Sequence, residues 1–137
     1  MIRKEGKMGQ ELTRAQADER AERGAERLDR ADPNWAIGIS VTDVVMEYMD
    51  RCVLGKVYGH YRIGVLRLGL PDLGDLENDG LSLEHPLVTH GFDLSVVETY
   101  DENGFDTSQY RVLTDAWRHQ IHLRQVRGVV PITAAVA

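Results

Sequence analysis

The sequence predicts a mainly α, small single-domain helical fold with room for one short β-hairpin, and three observations carry that expectation. The stretch "QELTRAQADERAERGAERLDRA" at residues 10–31 is dense in Ala, Glu and Arg, all strong helix formers. Apolar residues then recur at steps near three and four through Val45, Met49, Cys52, Val57, Tyr61, Val65 and Leu68. A second apolar stripe of helical period, Leu113, Trp117 and Ile121, lies near the C-terminus. A chain of 137 residues has room for one core and not comfortably for two. An α+β arrangement is the alternative.

In chain order, residues 1–9 read as a flexible N-terminus and 10–32 as a charged helical arm. Residues 33–127 then form the globular domain and 128–137 a C-terminal tail. The arm's apolar stripe is thin, Ala17, Ala21, Ala25 and Leu28, so it buries little by itself and is expected to lie on the domain or on a partner. Asp32–Pro33 ends it, because the residue before proline avoids the α region. "NWAIGISV" alternates Ile37, Ile39 and Val41, the pattern of a short strand or an extended arm anchored by Trp35. Thr42 fits an N-cap, with a helix from about 43 to 68 or two helices broken near Asp50–Arg51. "GLPDLGDLENDG" is rich in turn formers, and Pro86 opens a short helix that Gly91 closes. A strand is expected over Val96 to Tyr100, with a turn at Asn103–Gly104. Asp106 and Gln109 have the spacing of a capping box for a last helix over about 107–127.

Net charge is −6, and its distribution is uneven. Residues 1–32 carry basic and acidic groups in equal number. From Leu68 to Tyr110 there is no Lys or Arg, while Asp72, Asp75, Glu77, Asp79, Glu84, Asp93, Glu98, Asp101, Glu102 and Asp106 supply carboxylates. Such a block repels a phosphate backbone, so a nucleic-acid partner is not expected and a basic protein surface is the better match. No apolar run approaches the roughly 20 residues of a bilayer span. The N-terminal residues lack the apolar core of a secretory signal, and a single Cys fits a reducing compartment; the expected location is cytoplasmic.

The segment "RCVLGKVYGHY" at residues 51–61 combines the lone cysteine with glycines, tyrosines and a histidine. A nucleophilic Cys52 needs a base within hydrogen-bond reach, and His60 is eight residues on, about 12 Å along a helix. A Walker-type loop requires Ser or Thr after its lysine, and Val57 follows Lys56. The remaining reading is steric: Cys52, Gly55, Gly59 and Gly64 are small positions that let another backbone approach.

Asp115, His119 and His122 lie at i, i+4 and i+7, one helical face opposite the Leu113–Trp117–Ile121 stripe, and carboxylate with imidazole is a transition-metal set. The competing reading is the polar face that any surface helix turns outward. Asp101, Asn103 and Asp106 surround a glycine turn without calcium-loop spacing, since Phe105 stands at the fifth position. His85 and His90 flank the short helix as core or capping residues.

The residues Trp35 and Ile39, "CVLGKVYGHY" at 52–61, "LGL" at 68–70, "HGFD" at 90–93 and "LTDAW" at 113–117 together resemble a group of short uncharacterised proteins of actinobacteria and their bacteriophages. The resemblance spans about residues 33–121; it implies a phage or mobile-element origin and transfers no catalytic residue. The expected function is a non-enzymatic accessory protein that binds a host or phage protein through its acidic block, above all Asp72, Asp75, Glu77 and Asp79, with no cofactor. One alternative is a metal-binding protein or metal-dependent enzyme using Asp115, His119 and His122. Another is a homodimer paired through the N-terminal helix.

Overall fold

The computed structural model describes residues 11–71, 81–101, 104–105 and 108–136. Helix α1, Arg14–Ala31, begins at a capping box: Gln16 N–H donates to Thr13 Oγ1 at 3.1 Å and Thr13 N–H to Gln16 Oε1 at 3.0 Å. It ends as expected at Asp32, extended before Pro33. A 3₁₀ turn at Val41–Asp43 leads to α2, Val53–Tyr58, and α3, Tyr61–Arg67. Helices α4, Pro86–Thr89, and α5, Val96–Thr99, precede a hairpin of β1, Tyr100–Asp101, and β2, Gly104–Phe105. The strands are antiparallel, with Tyr100 opposite Phe105 and Asp101 opposite Gly104. The last helix, α6, is Gln109–Val136. The architecture is mainly α with one short hairpin.

The N-terminal helix is part of the core. Ala17, Ala21, Ala25 and Leu28 are fully buried, and α1 packs along α6. Small side chains do little by area, but they let the two backbones come close, and larger groups fill the seam from the far side. Trp117 of α6 is its centre: fully buried, stacked on Phe92 at 5.4 Å and met edge-on by Trp35 at 6.0 Å. Its indole N–H donates to the Gly91 carbonyl. Gly24 makes this possible, since a Cβ there would strike the His90 carbonyl oxygen and stand 2.8 Å from Trp117 Cζ2. Gly91 answers from the other side: it has φ +72°, and a Cβ on it would lie 2.9 Å from Ala21 N.

Several local expectations are corrected. Residues 33–39 form successive turns instead of a strand, with Trp35, Ile37 and Ile39 N–H donating to the carbonyls of Asp32, Asn34 and Ala36. Side chains of α6 satisfy the rest of this segment: Gln125 Nε2 donates to Ala36 and Ile39 carbonyls, Arg118 to those of Thr42 and Val44. In place of one helix over about 43–68, or two broken near Asp50–Arg51, there are the two short helices α2 and α3, broken at Gly59–His60 and preceded by turns. Cys52 caps α2, its Sγ accepting Gly55 N–H at 3.4 Å, and Gly59, at φ +97°, ends that helix. Gly55 and Gly64 are the close-packing positions expected, the first against the Met49 carbonyl and the second against Leu54, while Gly59 serves the backbone turn. Val96 to Thr99 is a helical turn and not the start of a strand. Gln109 accepts the Leu12 N–H at 3.0 Å, tying the start of α6 to the residues before α1; Asp106 lies outside the described residues. Neither Gly128 nor Pro131 stops α6, which runs through the expected tail to Val136.

Replacing Gly24 with Ala improves helix propensity by about 1 kcal/mol. The clash with the His90 carbonyl and Trp117 outweighs it, so Gly24→Ala should lose about 1–3 kcal/mol and lower the thermal midpoint by several degrees. A raised midpoint would contradict the seam. Trp117→Ala should cost about 3–5 kcal/mol through the cavity it leaves.

Candidate functional site

Asp93 follows the Gly91 turn that Trp117 holds in place, and three elements converge on it. Tyr61, at the start of α3, donates its hydroxyl to Asp93 Oδ2 at 2.8 Å. Tyr110, in the first turn of α6, donates to Oδ1 at 2.7 Å, and Leu94 N–H to the same oxygen at 2.8 Å. The Met49 carbonyl accepts Tyr61 N–H at 2.9 Å, which sets the turn over residues 46–49 against the start of α3.

A cavity of about 90 Å³ sits between these elements. The rings of Tyr48, Tyr61, Phe92 and Tyr110 line it together with Asp93 and Glu47. Met46, Met49 and Cys52 complete the wall with sulfur. Glu47, Tyr48 and Met49 are exposed, so the cavity opens to solvent past them. No Lys or Arg lines it.

The chemistry of this wall is that of an acceptor. Both tyrosine protons and the Leu94 N–H are spent on Asp93, which leaves lone pairs on the two phenol oxygens and the carboxylate. Burial, with the Asp93 charge adding to it, pushes the Tyr61 and Tyr110 hydroxyls far above the ordinary phenol range, so both stay protonated. Burial likewise pushes the Cys52 thiol up to about 11, against hydrogen bonds from backbone N–H groups that lower it. At neutral pH it is a thiol and not the thiolate that nucleophilic chemistry needs.

The other candidates lie elsewhere. Asp115, His119 and His122 are all exposed on α6, and among the described residues no three His, Cys, Asp or Glu side chains converge to hold a metal ion. Asp72, Asp75, Glu77 and Asp79 lie outside the described residues, as do Asn103 and Asp106 of the acidic turn. Two members of the acidic block are tied into the fold by hydrogen bonds. Asp93, half-buried, is one. Glu98, 2% exposed, is the other: Arg20 of α1 grips it with two bonds of 3.0 and 2.7 Å, and Ser95 supplies its N–H and hydroxyl at 3.0 Å each. Glu84 is exposed.

His85 and His90 are capping residues. His85 Nδ1 accepts Leu87 N–H, opening α4, and His90 Nδ1 lies 2.9 Å from the Pro86 carbonyl. Burial lowers the His90 pKa, helped by Arg27, Arg23 and Arg30 and opposed by its bond to Pro86. A second hollow, of about 330 Å³, lies beside Pro33, Asn34, Ile37 and Arg127. Its Asp29 is already committed: Arg124 holds both oxygens at 2.9 and 2.8 Å, and Trp35 Nε1 donates at 2.8 Å. Burial opposes these bonds, yet they keep the Asp29 carboxyl below its ordinary value.

The sequence sets Tyr61 in an apolar helical stripe and Asp93 in the acidic block, and neither pattern brings them together or singles out Tyr110. The available signal was a carboxylate directly after "HGF", in a segment where a positive-φ glycine turns the chain inward.

The raised thiol and phenol values make a signed prediction. A group whose folded pKa exceeds its unfolded one stabilises the fold fully below the unfolded value, here 9.0 for the thiol and 10.0 for the phenols, and loses that contribution as pH rises through the folded value. The thermal midpoint should therefore fall steeply above about pH 9. Absorbance titration should show Tyr61 and Tyr110 resisting ionisation until the chain unfolds, and Tyr61→Phe should flatten the alkaline fall. A midpoint flat to about pH 11 would contradict the buried triad.

No family model matches this chain, and neither a curated protein nor a solved structure matches it.

Proposed function

We propose that the protein is a non-enzymatic interaction module that binds a protein partner, an accessory product of a bacteriophage or mobile element working in the bacterial cytoplasm. The observation that supports this reading is the exposure of large apolar side chains on α3 and on the turn bonded to its start. Tyr48, Met49, Ile63 and Leu66 are 49%, 51%, 49% and 68% exposed. Ile63 and Leu66 share a face of α3 by their i, i+3 spacing, and the Met49 carbonyl is bonded to Tyr61 at the start of that helix. Large apolar side chains left exposed on one helix face, as Ile63 and Leu66 are, mark a surface that another molecule covers.

The cations near this face are engaged locally, and the acidic block that follows α3 in the sequence favours a basic partner. Arg51 lies over the Tyr48 ring, Arg67 over the Tyr58 ring, and Lys56 lies 3.9 Å from Asp43. The segment that continues from Pro71 adds Asp72, Asp75, Glu77 and Asp79 with no intervening cation. A run of carboxylates of this kind attracts a cationic partner, an effect that salt screens beyond about 8 Å. The stripe Ala17–Ala21–Ala25–Leu28 that a helix-paired homodimer would use is occupied by α6.

A photo-crosslinking side chain placed at Leu66 should yield one discrete adduct in a bacterial host lysate, whereas the same group at exposed Glu22 of α1 should not. Adding Ile63→Glu should abolish the adduct without lowering the thermal midpoint. Identical labelling from both positions, or an adduct indifferent to Ile63→Glu, would overturn the reading.

A further inference from the structure

The donor and acceptor census of the Asp93 cavity restricts what can enter it. Its two phenol hydroxyls point their protons at Asp93, and the Leu94 N–H is bonded there too. A carboxylate, phosphate or carbonyl entering beside them would meet phenol oxygens with no proton to give and the charge of Asp93 and Glu47. An entering donor meets the reverse: lone pairs on Tyr61 and Tyr110, a carboxylate behind them, a second carboxylate at the mouth, and electron-rich rings on several sides. The geometry points to a site for a primary alkylammonium group, supplied by the tip of a lysine side chain of the partner protein.

Donor chemistry narrows the choice within cations. A guanidinium is broad and planar, and a trimethylammonium is larger and has no N–H to donate. A primary ammonium is compact and carries three donors on a flexible apolar stem. Met46 and Met49 give that stem an adaptable apolar wall.

This inference rests on the interaction reading and names the group by which the partner is recognised. The test uses the whole chain with ¹³C-methyl methionine, titrated with N-acetyl-lysine methylamide, its neutral norleucine counterpart, its trimethyl-lysine counterpart and n-propylammonium. The lysine derivative should shift the Met46 and Met49 methyl signals saturably. The norleucine and trimethyl-lysine compounds should bind at least about tenfold more weakly. Asp93→Asn should weaken lysine binding by about tenfold or more. Glu47→Gln, at an exposed position where folding is not at stake, should weaken it several-fold and reduce its salt dependence.

Equal shifts from the lysine and norleucine compounds would overturn the site, as would affinity unchanged by Glu47→Gln and Asp93→Asn together. Binding of propylammonium without the lysine derivative would overturn the lysine assignment. A lysine derivative that binds while Leu66 gives no partner adduct removes the interaction reading and leaves the pocket chemistry standing. The opposite pair of results removes the pocket and leaves the interaction surface.

Discussion

The close approach of α1 to the His90–Gly91 turn is the constraint on which the rest of the molecule depends. Two backbones meet there with no side chain between them, Gly24 facing the His90 carbonyl and Gly91 facing Ala21. The space left on the far side is filled by Trp117, whose indole N–H takes the Gly91 carbonyl and whose ring is flanked by Phe92 and Trp35. Close-packed interiors transmit such fits with little slack. A helix whose apolar face is mostly alanine thereby becomes one wall of the core.

The seam also positions the site. Phe92, stacked on Trp117, is followed directly by Asp93, so the carboxylate is held at a fixed distance from α6 and meets Tyr110 of that helix. Tyr61 reaches the same carboxylate from α3. One turn further along, Glu98 is tied back to α1 by Arg20, a buried pair whose rupture would leave an uncompensated charge and cost about 3–5 kcal/mol. The segment 90–99 is thus pinned from α1 on one side and from α3 and α6 on the other. A cavity built on it is preorganised, which lowers the ordering cost of any ligand it takes.

Helical periodicity made much of this legible in advance. The Ala17–Leu28 stripe, the Leu113–Trp117–Ile121 stripe, the Asp32–Pro33 stop and the Pro86-to-Gly91 turn all follow from local chemistry, and all are present. The Val45–Leu68 pattern misled because apolar spacing is nearly unchanged across the Gly59–His60 break, where only a backbone angle of +97° separates two helices. Gly24 was illegible for a related reason: in isolation a mid-helix glycine is only a cost, and its benefit lies on a segment more than sixty residues away. Charge misled as well. Asp93 and Glu98 belong to a run of carboxylates that reads as surface, and the groups that draw them inward, Tyr61 and Arg20, are 32 and 78 residues distant. Asp115, His119 and His122 share a face by spacing alone, and that face is turned to solvent.

The central claim is that α1 belongs to one cooperative core and is not an arm laid on a finished domain. Removing residues 1–32 and following thermal unfolding by near-ultraviolet circular dichroism tests it most directly. With Gly24, Arg20 and the alanine stripe gone, Trp117 loses its wall and Glu98 its counter-charge. The account predicts a truncated chain with no cooperative transition and no fixed aromatic signal. A shortened chain that keeps the aromatic spectrum of the full protein and melts cooperatively at the same temperature would contradict it.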